Sequence, residues 1–177
     1  MAIGVVWYIT HLNAEIARMR AAGPAAPDAA SAARPPAAAA APAAARVLTP
    51  EQRQAMIEKL GATPASPVWF ATVPNNPEAT AFQKTLQGVF EEAGWQVHGN
   101  SPIRFAMKPG IFIFAADEEP PPFLSSVNDA FEAAGITVTS GRGYREFVRQ
   151  KKEENKDWVG LELGPEDIYV IAVGRAG

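Results

Sequence analysis

The stretch VWFATVPNNPEATAFQKTLQGVFEEAGWQV, residues 68–97, decides the fold. It opens with a continuous β-prone run, Val68–Val73. Asn76, followed by Pro77 and Glu78, reads as the cap and first turn of a helix. Phe82, Leu86, Val89 and Phe90 recur at i, i+4, i+7 and i+8, so the helix buries one stripe, and Gly94 ends it. Trp95–His98 then resumes as a strand. A strand, helix and strand in this order predict a βαβ unit with parallel strands and a right-handed crossover.

The pattern returns downstream. Ile111–Ala116 reads as a strand, Asp117–Pro122 as a loop, the chain to about Ala134 as a helix stopped by Gly135, and Ile136–Ser140 as a second strand. Shifting the first unit by 41 positions matches Phe82 with Phe123, Phe90 with Phe131, Glu91 with Glu132, Ala93 with Ala134, Gly94 with Gly135 and Val97 with Val138. The matches fall on core-facing and helix-ending positions, as an internal duplication would place them and as two amphipathic helices of this length can also share by chance; the architecture follows in either case.

Ahead of the first strand, Thr49-Pro50-Glu51-Gln52 combines an N-cap Thr, Pro at the first helical position and a Gln that can close a capping box. A short helix over about residues 50–60 follows, with Gly61 as its stop. Beyond the second unit, Arg142–Trp158 predicts a charged helix with Arg149 and Glu153 at i, i+4. The Gly164-Pro165-Glu166-Asp167 turn introduces a final strand, Ile168–Val173. The expected fold class is α/β: a small flavodoxin-like (Rossmann-like) sheet of four to five strands from two βαβ units. Its order would be 2-1-3-4, with strands 68–73 and 111–116 central and the last strand at an edge or completing the sheet.

Upstream, residues 1–20 are expected to form an apolar helix and residues 21–46 a disordered Ala/Pro-rich linker, with the α/β domain at 47–177. Met1–Leu12 is almost entirely apolar but shorter than the roughly 20 residues of a full membrane span. Two readings fit it. One is membrane association, in which Arg18 and Arg20 place the domain on the cytoplasmic side. The other is a soluble packing or self-associating helix, because Val5, Ile9, Leu12, Ile16 and Met19 alternate four and three apart as in a coiled-coil seam.

Charge and composition narrow the function classes. Residues 1–46 carry +2, which against −3 overall leaves −5 on the rest, a poor balance for neutralising phosphates, so no nucleic-acid partner is expected. The chain has no cysteine and only His11 and His98, which removes thiol chemistry and disfavours a histidine-built metal site. Neither a cofactor nor a metal is expected, and no residue pattern marks a catalytic centre.

Two groups of residues stand out as candidate contacts. Beyond the C-terminal strand ends, where open parallel sheets bind ligands, lie Asn75 and Asn76 and the acidic run Asp117, Glu118 and Glu119. The asparagines can cradle a phosphate or carboxylate at a helix N-terminus, and the acids can hold a cation or share a proton. Both are also what helix starts prefer on their own account. The second group is Arg145, Arg149, Lys151 and Lys152, suited to a membrane surface or partner contact, though the interleaved Glu146, Glu153, Glu154 and Asp157 argue instead for a mixed, solvated helix.

The segments LTPEQRQAMIEKL, VPNNPEATAFQKTL and FEEAGWQV resemble a recurrent type of uncharacterised bacterial protein with an N-terminal membrane segment, a short linker and one small α/β domain. The resemblance covers most of residues 48–140 and implies a membrane location, but assigns no activity. Here the apolar N-terminus is shorter and a charged helix near 144–157 is added. The leading expectation is therefore a membrane-tethered, non-enzymatic interaction or ligand-sensing domain. The alternatives are a small-molecule, nucleotide-like enzyme at the strand-end crevice and an oligomerising stalk protein.

Overall fold

The computed structural model describes residues 45–177, so the expected N-terminal helix with its Val5, Ile9, Leu12, Ile16 and Met19 seam, and the linker up to residue 44, lie outside the described residues. The elements follow as α1 (Pro50–Gly61), β1 (Pro67–Thr72), α2 (Pro77–Glu92), β2 (Gln96–Pro102), β3 (Ile111–Ala115), α3 (Leu124–Ala133), β4 (Val138–Gly141), α4 (Tyr144–Glu154) and β5 (Tyr169–Val173).

The expected local signals operate at the helix ends. Thr49 and Gln52 close the capping box: the Gln52 N–H donates to Thr49 Oγ1 at 3.2 Å, and the Thr49 N–H to Gln52 Oε1 at 3.0 Å. Gly61 is not a left-handed stop, since α1 runs through it to a right-handed C-cap at Ala62. α2 and α3 end identically. Gly94 and Gly135 sit at φ +85° and +66°, and the residue after each donates back to the phenylalanine five before, Trp95 to Phe90 and Ile136 to Phe131, both at 2.9 Å. This is a Schellman closure, and it demands the left-handed conformation that glycine adopts without strain.

One mixed five-stranded sheet carries both units, in the order β2-β1-β5-β3-β4. β1 is parallel to β2 and β3 to β4, as expected of crossover units. The flavodoxin-like order 2-1-3-4 is not formed. β5 inserts between the units, parallel to β1 and antiparallel to β3, so the two units run in opposite directions.

Two physical causes account for this. All five residues of β5 are buried, and a strand covered on both faces belongs inside a sheet. Secondly, α2 and α3 share one core with α1, through Phe82, Leu86 and Phe90, Val127 and Phe131, and Met56 and Leu60. In a 2-1-3-4 parallel sheet, right-handed crossovers stepping outward in opposite directions put their helices on opposite faces. Helices on the same face therefore require one unit to be turned through 180° about the sheet normal, which reverses its strands.

The sheet alternates accordingly. Val68, Phe70, Ile111, Ile113, Tyr169, Ile171 and Val173 face the three helices. Ala71, Phe112, Val170 and Ala172 face a second layer that includes Ile103, Leu161 and Tyr144 of α4. Phe112 is buried there, and Trp69 and Phe114 are partly buried against the same layer. α4 is shorter than the expected 142–158 because Asn155 takes an extended conformation and its Oδ1 accepts the Asp157 N–H at 3.1 Å.

Candidate functional site

Reversal of one unit separates the candidate residues. Thr72 at the end of β1 and Ile111 at the start of β3 both flank Val173, whereas Ala115 at the end of β3 lies beside Tyr169. The loop holding Asn75 and Asn76 therefore leaves one end of the sheet and the Asp117–Glu119 loop leaves the other. The crevice that was to unite them is not formed.

At the β1 end, Asn76 serves the helix: its Oδ1 accepts the Ala79 N–H at 3.0 Å, and its carbonyl accepts from the Thr80 N–H and hydroxyl at 3.1 and 3.0 Å. Asn75 turns the chain at φ 57° and is exposed. Together with Pro77, Thr80, Ala81 and Lys84 these residues line an open depression of about 440 Å³. Beside it, in the first turn of α2, Glu78 receives Arg46, with Nε to Oε1 at 2.7 Å and Nη2 to Oε2 at 3.0 Å. The Arg46 hydrogen bonds hold the Glu78 carboxyl below the usual carboxylate range, against a smaller opposing effect of burial. Arg46, expected to end the linker, thus belongs to the folded unit.

At the opposite end the fold brings together residues from both candidate groups. The Gly143 N–H donates to the Asp117 carbonyl and the Arg145 N–H to the Ala116 carbonyl, both at 3.0 Å, seating the start of α4 on the acidic loop. Gly143 sits at φ +66°, a conformation that favours glycine, and the Glu118 carboxylate lies over its Cα and would have to swing away from any Cβ there. Ala116, Asp117, Glu118, Gly143, Arg145, Glu146 and Arg149 surround a shallow depression of about 280 Å³. Glu119 is exposed next to it.

Most of the charges here are already engaged. Arg145 reaches Asp117 with Nη1, at 3.3 and 3.4 Å to its two carboxylate oxygens, and anchors the 164–167 turn to α4 by donating from Nη2 to the carbonyls of Gly164, Pro165 and Asp167 at 2.9–3.1 Å. Arg149 binds Glu146 through two hydrogen bonds, at 2.8 and 2.6 Å, and Glu153 through a third at 2.5 Å. Hydrogen bonds from Arg149, then Gln150, lower the Glu146 carboxyl to about 2, and the same pairing raises the Arg149 guanidinium. Lys151 pairs with Glu154 at 2.6 Å with its ammonium 5.9 Å from the Phe147 ring centroid. Among the described residues, Lys152 is the member of the second group that forms no ion pair.

Chemically, the β3 end is a surface of alternating fixed charges. Glu146, ionised far below neutrality, is no proton donor near pH 7. No group of three or more His, Asp or Glu side chains suited to a metal ion occurs among the described residues. His98 stacks on Trp69, ring centroids 5.1 Å apart, at the exposed edge of the sheet. Sequence reading missed Arg46, Glu78, Gly143 and Glu146. The signals were a lone arginine at the border of the Ala/Pro tract and a glycine directly before a charged helix.

Among the described residues no helix is long and apolar enough to cross a membrane. Compared with family models, curated proteins and solved structures, the chain matches none.

Proposed function

We propose that the chain is a membrane-tethered, non-enzymatic interaction domain, held on the cytoplasmic side by its apolar N-terminal segment through the Ala/Pro-rich linker. The observation that carries this reading is the self-sufficiency of the folded unit. Residues 45–177 cover their own core on both faces of the sheet, and the large apolar side chains left exposed are Val47 and Val159. An apolar run such as Met1–Leu12 gains by leaving water, and a bilayer supplies a medium for it. The contact surface we assign is the β3 end, where Asp117, Glu118, Arg145, Glu146 and Arg149 present charges of both signs on a rigid frame, a pattern suited to a polar protein surface of complementary charge.

The enzyme alternative loses its support, because the two strand-end loops it relied on open on opposite ends of the sheet. Co-sedimentation with lipid vesicles tests the tether: the full chain is expected in the pellet and residues 45–177 in the supernatant. Both proteins remaining in the supernatant sinks the proposal. Light scattering on the same pair separates the stalk reading, in which the full chain alone forms an oligomer without lipid.

A further inference from the structure

We propose that Arg46 and Glu78 form a clasp that couples the two ends of the folded unit, so that releasing the segment before α1 also releases the C-terminal tail. Three stretches of chain, remote in sequence, meet on this one ion pair. Glu78 Oε1 accepts from Arg46 Nε at 2.7 Å and from the Arg46 N–H at 3.3 Å. Its Oε2 accepts from Arg46 Nη2 at 3.0 Å and from the Ala176 N–H at 3.2 Å. Arg46 Nη2 also donates to the Gly174 carbonyl at 2.6 Å, and the guanidinium lies 4.6 Å over the Phe82 ring. Neither end of the folded unit can leave without stripping partners from the other.

The clasp differs from the other ion pairs. Its two side chains are 22% and 18% exposed, whereas each of the remaining pairs has at least one partner above half exposure. Less water around the pair means weaker screening and a larger penalty for leaving one partner alone. The tail extends the coupling further. Gly174 and Gly110 exchange contacts across it, the Gly174 N–H donating to the Gly110 carbonyl at 2.9 Å and the Gly110 N–H to the Arg175 carbonyl at 3.1 Å. A Cβ on Gly174 would press on the Lys108 and Gly110 carbonyls, so the tail lies tight against the loop that enters β3. The device thus links the junction with the linker to the start of β3, and it stands whether or not the N-terminal segment enters a membrane.

Limited trypsin digestion of the full chain, read by intact mass, tests it. Trypsin must take a free arginine side chain and an extended backbone, and the clasp denies the first at Arg46–Val47 and the second at Arg175–Ala176. In the wild type both bonds are expected to be protected. Glu78→Gln is expected to speed cleavage at both by about tenfold, and Arg46→Lys, which keeps the charge but loses the planar fork, to do the same. Arg46→Ala removes the first cleavage site and isolates the coupling: Arg175–Ala176 is expected to be cut about tenfold faster. Cleavage after Arg53 and Lys59 inside α1 serves as the measure of global opening and is expected to stay unchanged. Wild-type cutting at Arg46 as fast as in Glu78→Gln overturns the clasp. An unchanged Arg175 bond in Arg46→Ala, or equal acceleration inside α1, overturns the coupling.

Discussion

In the first crossover unit the helix starts on Asn76, whose side chain accepts the Ala79 N–H. In the second, the corresponding place before α3 is held by Phe123, which makes no capping hydrogen bond. Phe123 instead packs edge-on to Trp95 at 5.7 Å and to Tyr169 at 5.8 Å. Those contacts complete a chain of rings running from Phe70 through Phe90 and Trp95 into the second unit. The two units thus stop their helices by the same backbone device but start them differently. Stopping needs only a left-handed glycine, a local property. Starting can be left to tertiary packing, because the first turn of α3 is also held by the Pro121 and Pro122 carbonyls, which accept from Leu124 and Ser125.

The largest effect that sharpens this comparison is expected in the core. Phe90→Ala and Phe131→Ala remove fully buried, matched side chains and are each expected to cost about 3–5 kcal/mol in denaturant unfolding. Phe90 carries two ring contacts in the aromatic chain, so its loss is expected to exceed that of Phe131 by about 1–2 kcal/mol. Equal losses would show that the ring chain adds nothing beyond burial. Gly94→Ala and Gly135→Ala come next. No atom lies within 4 Å of a Cβ at either position, so strain alone acts, about 1–2 kcal/mol and equal in the two units. Unequal values would break the identity of the helix ends.

Acid titration reads the β1 end of the sheet. Glu78 is lowered from 4.5, so its contribution is present above that value and is lost as pH falls through the lower folded value. Glu78→Gln is expected to flatten the acid limb of stability against pH by about 1–2 kcal/mol; an unaltered limb contradicts the pairing with Arg46. Asn76→Ala is expected to cost about 1 kcal/mol by thermal melting, a loss that has no side-chain counterpart at the start of α3. The smallest effect belongs to Tyr169, between the units, whose hydroxyl is buried without a partner and whose ionisation is pushed up by burial. Tyr169→Phe is expected to leave stability unchanged or raise it by up to about 1 kcal/mol. A clear loss would reveal a partner for the hydroxyl.

Much of the local architecture was legible. The capping box at Thr49, the Asn76 cap, the glycine stops at 94 and 135 and the turn at 164–167 all rest on groups within five residues of one another. The turn closes through Gly164 N–H to Asp167 Oδ2 at 2.7 Å, a contact its own four residues supply. The candidate site was legible only as separate pieces. Asp117 and Glu118 meet Arg145 and Arg149 because α4 begins on the loop after β3, a contact across some 25 to 30 positions that no spacing announces. Arg46 looked like linker because its partners are 32 and 128 residues away.

By itself the sequence determined the kind and order of the strands and helices of the described unit, with bounds shifted by a few residues at β2, β4 and α4, and that each crossover pairs its strands in parallel, since periodicity, caps and chain length act over short distances. Only the tertiary structure decided that β5 enters the middle and that one unit is reversed. Nothing local favours one direction of a whole unit over the other. Placing three helices on one face, with right-handed crossovers and a doubly covered β5, does, and it carries the asparagine loop and the acidic loop to opposite ends.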